Sequence, residues 1–148
     1  MENIVKPVIE KIHLLISFLH QTREEFELVS KEIDDDHLRL TLRSFALETN
    51  QYEQELKSQL QMLRINEIPV ISIFNCEELL KNIRSIMNAA SLKETLVICT
   101  ATERFFEKAY RNVLNEYFPY QWLRDILIYQ LNSIKCSFMK IKLLNSIQ

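Results

Sequence analysis

Apolar side chains recur in alternating steps of four and three over four long stretches of this chain, a spacing that gathers them on one face of an α-helix. In the first stretch Val8, Ile12, Leu15, Leu19, Thr22, Phe26, Val29 and Ile33 keep the rhythm, and Thr22 is its only polar member. The second carries Leu38, Leu42, Phe45, Thr49, Tyr52, Leu56, either Gln59 or Leu60, and Leu63. The third runs Leu92, Leu96, Cys99, Glu103, Phe106, Tyr110, Val113 and Tyr117, with Glu103 its one charge. The fourth holds Leu123, Leu127, Gln130, Ile134, Phe138 and Ile141, with Ile126 and Ser133 on its flank. Four amphipathic helices follow from this pattern.

Punctuation between the stripes sets their boundaries. Pro7 suits the first turn of the first helix. Asp34, Asp35 and Asp36 break the pattern after Ile33 and can cap and complement the positive end of the next helix. So short a connection makes the first two helices antiparallel and brings Thr22 and Thr49 to one height. Residues 64–75 contain Pro69 and the apolar run Val70, Ile71, Ser72, Ile73, Phe74, which reads as an extended crossover lying against the bundle. Asn75 followed by Glu78 marks a short helix from Cys76 to Met87, and Ser91 with Glu94 forms a capping box for the third long helix. Pro119 marks the last boundary, the fourth long helix running from it nearly to the end.

Each stripe is interrupted near its middle, at Thr22, Thr49, Glu103 and Gln130, which predicts one shared polar layer across the bundle centre. A lone buried carboxylate is costly by several kcal/mol unless it is paired or protonated, so Glu103 needs partners. Tyr52, Tyr110 and Gln130 are in reach as donors, and Glu48 and Ser133 adjoin the same level. The candidate set is therefore Thr22, Glu48, Thr49, Tyr52, Glu103, Tyr110, Gln130 and Ser133. A long connection between the second and third helices is the ferritin-like way of joining two helical hairpins, so the expected fold is all-α, a single-domain ferritin-like four-helix bundle over residues 1–148 with a short extra helix in the crossover.

Bundles of that kind hold iron or manganese with a Glu from each of two helices and a Glu-x-x-His pair from each of the others. Here Glu103 and Glu48 are the only candidate ligands, Gln51 stands where a His would follow Glu48, and the fourth helix has neither Glu nor His at its centre. No cofactor is expected, and iron or manganese is the alternative. The one Glu-x-x-His, from Glu10 to His13, falls off the stripe and reads as surface; His20, His37, Glu24, Glu25 and Glu27 read as helix exterior.

Composition narrows the chemistry. The chain has no glycine, which removes dinucleotide fingerprints, phosphate-cradling loops and nucleophile elbows, all of which need it where backbone turns sharply or approaches a ligand. With 148 residues it can bury roughly 70% of its unfolded surface without help from disulfides. A net charge of -2 with interspersed signs gives no footprint for nucleic acid or an anionic membrane, and no apolar run is long enough to span a bilayer. With no targeting pattern and three cysteines lacking C-x-x-C spacing, a cytoplasmic protein is expected. The apolar crossover adds sticky surface that suits a homodimer.

Glu103 with Ala109 and Tyr110 after it, then Pro119, Gln130 and Lys135, together with Gln51, Tyr52, Glu55 and Leu56 on the second helix and the short intervening helix, make the chain similar to a bacterial family of ferritin-like bundles of uncharacterised role, domain of unknown function 2383. The resemblance runs over nearly the whole chain. Where that family tends to show an acidic residue and then a histidine on the last helix, this chain has Ser133 and Phe138, and Gln21, Thr22 and Arg23 replace acidic and small positions on the first. The resemblance implies a bundle whose metal positions are degenerate. The functional expectation is a non-catalytic protein with a structural polar layer, serving in stress response or binding an unknown protein partner; the alternative is a carboxylate-rich metal or peroxide protein using Glu48, Glu103 and neighbouring Glu or Tyr side chains in an atypical, incomplete site.

Overall fold

The computed structural model describes residues 2–63 and 76–146, with side chains over 6–63 and 76–143. Among these residues the chain is all helical: α1 (Glu2–Glu32), α2 (Asp36–Met62), α3 (Glu77–Arg84) continued by a 3-10 turn (Ser85–Asn88), α4 (Leu92–Leu114) and α5 (Gln121–Ser146). No helix among them is long and apolar enough to cross a membrane.

Local chemistry explains most boundaries. Asp35 caps α2, its carboxylate accepting the Leu38 amide at 2.9 Å. Ser91 caps α4 by accepting the Glu94 amide at 3.2 Å, while the Glu94 carboxylate accepts the Ala90 amide at 2.7 Å, one residue beyond the N-cap amide of a strict capping box. Three boundaries differ from expectation. Helix α1 opens upstream of Pro7, which lies inside it; a proline this near a helix start forfeits one backbone bond, and the buried Val8, Ile9 and Ile12 beyond it hold the helix down. Helix α5 starts at Gln121, just beyond Pro119, with the Arg124 amide bonding the Tyr120 carbonyl. Cys76 occupies the N-cap position of α3 without a side-chain bond. The expected crossover at 64–75, Asn75 included, lies outside the described residues.

The long helices pair in a closed circuit: α1 with α2, α2 with α5, α5 with α4 and α4 with α1, and α3 lies over the seam between α1 and α4. Cross-links fix their directions. Near the start of α1 Lys11 pairs with Glu116 just past α4 at 2.5 Å, while Phe18 meets Phe106 at 4.9 Å between ring centres, so α1 and α4 run oppositely. Ser137 bonds Glu48 and Gln130 bonds Glu55, so α2 and α5 do too. Helices α1 and α5 thus point one way and α2 and α4 the other, and the chain leaves α2 at one end of the molecule to enter α4 at the other.

Five phenylalanines from all four long helices fill the interior. Phe45 of α2 lies 4.9 Å from Phe26, 5.5 Å from Phe106 and 4.7 Å from Phe138, and Phe106 lies 6.0 Å from Phe138. All are buried, as are Leu19, Leu42, Leu56, Leu123 and Leu127 around them. Burying each such side chain is worth about 1.5–3 kcal/mol, and edge-to-face ring pairs add up to roughly 1.5 kcal/mol more. Helix α3 is fastened by polar contacts as well as by buried Leu79 and Ile83. Asn82 donates to the Ile98 carbonyl at 3.1 Å and the Thr102 hydroxyl at 2.9 Å, and Arg84 pairs with Glu25 at 2.5 Å. Glu25 is consequently buried, not on the helix exterior as its neighbours suggested, because α3 covers that side of α1.

Candidate functional site

A polar network joins α2, α4 and α5. Gln130, fully buried on α5, is its junction. Its carbonyl oxygen accepts from the Tyr110 hydroxyl of α4 at 2.8 Å, and its amide donates to the Glu55 carboxylate of α2 at 3.0 Å and the Tyr52 carbonyl at 3.4 Å. The Tyr52 hydroxyl donates to one oxygen of Glu48 at 2.6 Å, and the Ser137 hydroxyl donates to the other at 2.6 Å. The Ser133 side chain stands near the Tyr52 phenol. Of the candidate set, Glu48, Tyr52, Tyr110, Gln130 and Ser133 therefore come together.

Thr22, Thr49 and Glu103 do not join them, which corrects the single layer read from spacing. Thr22 turns its hydroxyl back to the Phe18 and Leu19 carbonyls at 2.9 and 3.1 Å, and Thr49 does the same to Ala46 at 2.9 Å. A short β-hydroxyl satisfies itself on its own helix and sends nothing across. Glu103 is not a lone interior carboxylate: it lies at the edge of the α4–α5 seam, where Lys142 holds it at 2.8 Å. Tyr52, Tyr110 and Gln130, expected to reach Glu103, bind Glu48, each other and Glu55 instead. The stripe drifts: Leu92 and Tyr117 at its ends are exposed, while Thr95 and Thr102 beside it are buried.

Burial and neighbouring carboxylates keep both tyrosines protonated. Desolvation, and then the hydrogen bond to Glu48, raise the Tyr52 phenol, with nearby Ser133 opposing. Desolvation followed by the charges of Tyr52, Glu48 and Glu55 raises Tyr110 well above the ordinary phenol value. Burial pushes the Cys99 thiol up to about 11 and Cys76, whose thiol donates to the Gln21 side chain at 3.2 Å, upward as well. Neither buried thiol is disposed to act as a nucleophile.

A second polar cluster sits between α1 and α2 where spacing gave no signal. Glu53, only 1% exposed, stands 2.8 Å from Lys57, 3.2 Å from His20 and 3.7 Å from Arg23, while His20 also meets Glu24 at 2.5 Å. His20, read as surface, is thus tied into the hairpin interface. His13, likewise read as surface, has its Nε2 buried without a hydrogen-bond partner, and desolvation lowers its pKa. Glu53, Glu55 and Ser137 each adjoin a stripe residue by one or three positions; a wider face would have included them.

The residues present do not fit a dinuclear metal centre. Glu48 is engaged by Tyr52 and Ser137, Glu103 by Lys142 and Glu53 by Lys57, His20 and Arg23, while phenyl rings from every long helix occupy the core cross-section. Among the described residues no three of His, Cys, Asp and Glu gather as a metal would require. An open groove of about 1050 Å³ runs between α3 and α4, but Glu77 and Glu78 stand opposite Arg104, Lys108 and Arg111, so it favours ligands of neither charge. No family model, curated protein or solved structure matches the chain.

Proposed function

We propose that this chain is a non-catalytic, ferritin-like four-helix bundle whose interior polar network is structural and whose role is to bind a protein partner through exposed helical faces. The observation that carries the reading is the phenylalanine cluster of Phe18, Phe26, Phe45, Phe106 and Phe138, which fills with hydrocarbon the cross-section where a bundle enzyme gathers its carboxylates. The up-down-down-up order of α1, α2, α4 and α5 supports the ferritin-like topology. Of stress response and partner binding, the second draws support from exposed apolar positions such as Leu47, Tyr129 and Met139.

Titrating the purified chain with Fe(II) or Mn(II) under anaerobic conditions, followed by calorimetry, tests the proposal. The expected result is no saturable site at micromolar metal. One near-stoichiometric ion per chain, abolished in Glu48→Gln or Glu103→Gln, would establish the metal-protein alternative.

A further inference from the structure

Helix α5 carries two apolar stripes, and the core uses one of them. Leu123, Leu127, Ile134 and Phe138 point inward. On the opposite side Trp122, Tyr129, Cys136 and Leu143 follow at seven-residue intervals, with Asn132 and Met139 falling three positions after Tyr129 and Cys136. That is the spacing of a two-stranded coiled-coil seam with two polar residues in it, Asn132 and, three positions after Trp122, Asp125. All seven are exposed, with Tyr129 at 64%, Met139 at 60% and Leu143 at 56%. By contrast Leu28 of α1 and Val97 of α4 are single exposed apolar residues of the ordinary kind. Leu40 and Leu47, one heptad apart on α2, are exposed too.

Resting on the reading that the exposed helical faces bind a protein partner, we infer that the partner at this face is a second copy of the chain, in a homodimer whose α5 helices pack antiparallel. Two features select a second copy over an unrelated protein. First, the stripe is self-complementary: in an antiparallel pair that sets each Tyr129 against Met139 of the other copy, Asn132 meets Cys136 in both directions about the two-fold axis. Second, the charges match in that register. Asp125 lies near one end of the stripe and Lys140 near the other, the pairing brings each within about one helical turn of the other copy's opposite charge, and neither has an ion pair among the described residues. Lys135 and Lys142, which flank the seam, are already neutralised within the chain by Glu107 and Glu103 and so do not oppose association.

Sedimentation of the purified chain under reducing conditions tests this. The expected species has twice the 17.7 kDa chain mass, with a Kd of about 10 µM or tighter. Tyr129→Glu and Met139→Glu, both at exposed positions, should each weaken it at least about tenfold while circular dichroism shows unchanged helix content. Asp125→Lys and Lys140→Asp should each weaken it, and the double variant should regain affinity. On the unmodified chain a short bis-maleimide should link Cys136 to Cys136, since Cys76 and Cys99 are buried. A monomer at about 100 µM, or a dimer indifferent to Tyr129→Glu and Met139→Glu, overturns the interface. A dimer that those two variants break but the double charge reversal does not restore overturns the antiparallel arrangement.

Discussion

Gln130 shows what a polar residue in the interior of this protein does. Its amide has one acceptor and two donors, and between them they tie α5 to Tyr110 on α4 and to Glu55 and Tyr52 on α2. Position on the stripe makes Gln130 legible in sequence as buried; which groups it meets depends on helix rotation, which spacing does not give. Glu103 illustrates the opposite error. Its step in the four-three rhythm matches an interior position, but a step of four turns it about 40° past buried Cys99, to the seam beside Lys142. Because both partners remain partly exposed, Glu103→Leu is expected to change stability by no more than about 1 kcal/mol in urea unfolding. The buried tyrosines and Cys99 predict an alkaline limit. Their neutral forms are favoured in the fold, so the unfolded chain releases those protons first and stability falls as pH rises. For Cys99 the loss develops between about 9 and about 11, with Tyr52 and Tyr110 contributing from about 10 upward. Urea midpoints should therefore drop between pH 8 and pH 10.5, and a midpoint flat across that range would contradict the burial of these groups.

At the level of elements, start signals are the most transparent part of the sequence. Asp35 and Ser91 cap α2 and α4 as their residue types suggest, and Asp35→Ala or Ser91→Ala should each lower stability by about 1 kcal/mol. Pro7 misleads because a helix can begin several residues before a proline when later apolar positions hold it in place. Helix α3 was readable as a helix but its seat was not: Asn82 reaching Ile98 and Thr102, and Arg84 reaching Glu25, are contacts between distant segments with no local signature. Phe45, touching three other rings, makes a sharper test of the element packing. Phe45→Ala should lower stability by about 3–5 kcal/mol by calorimetry or urea unfolding, well beyond any cap.

For the molecule as a whole, the absence of glycine and the four stripes made an all-helical fold plain, and the pairing of α1 with α2 and of α4 with α5 followed from short connections. The division of the interior did not follow. Aromatic rings occupy one level, the Gln130 network another and the Glu53 cluster the α1–α2 seam, because each threonine can satisfy itself locally while Gln, Tyr and Glu must reach across. The claim that the network holds the bundle together, and is not the remnant of a reactive centre, is tested most directly by a double-mutant cycle on Tyr110 and Gln130 in urea. Tyr110→Phe and Gln130→Leu should each destabilise by about 1–3 kcal/mol, and the double variant by less than their sum, leaving a coupling of about 1 kcal/mol. Additive effects, or a gain in stability on Gln130→Leu such as relief of a functional site would bring, would contradict it.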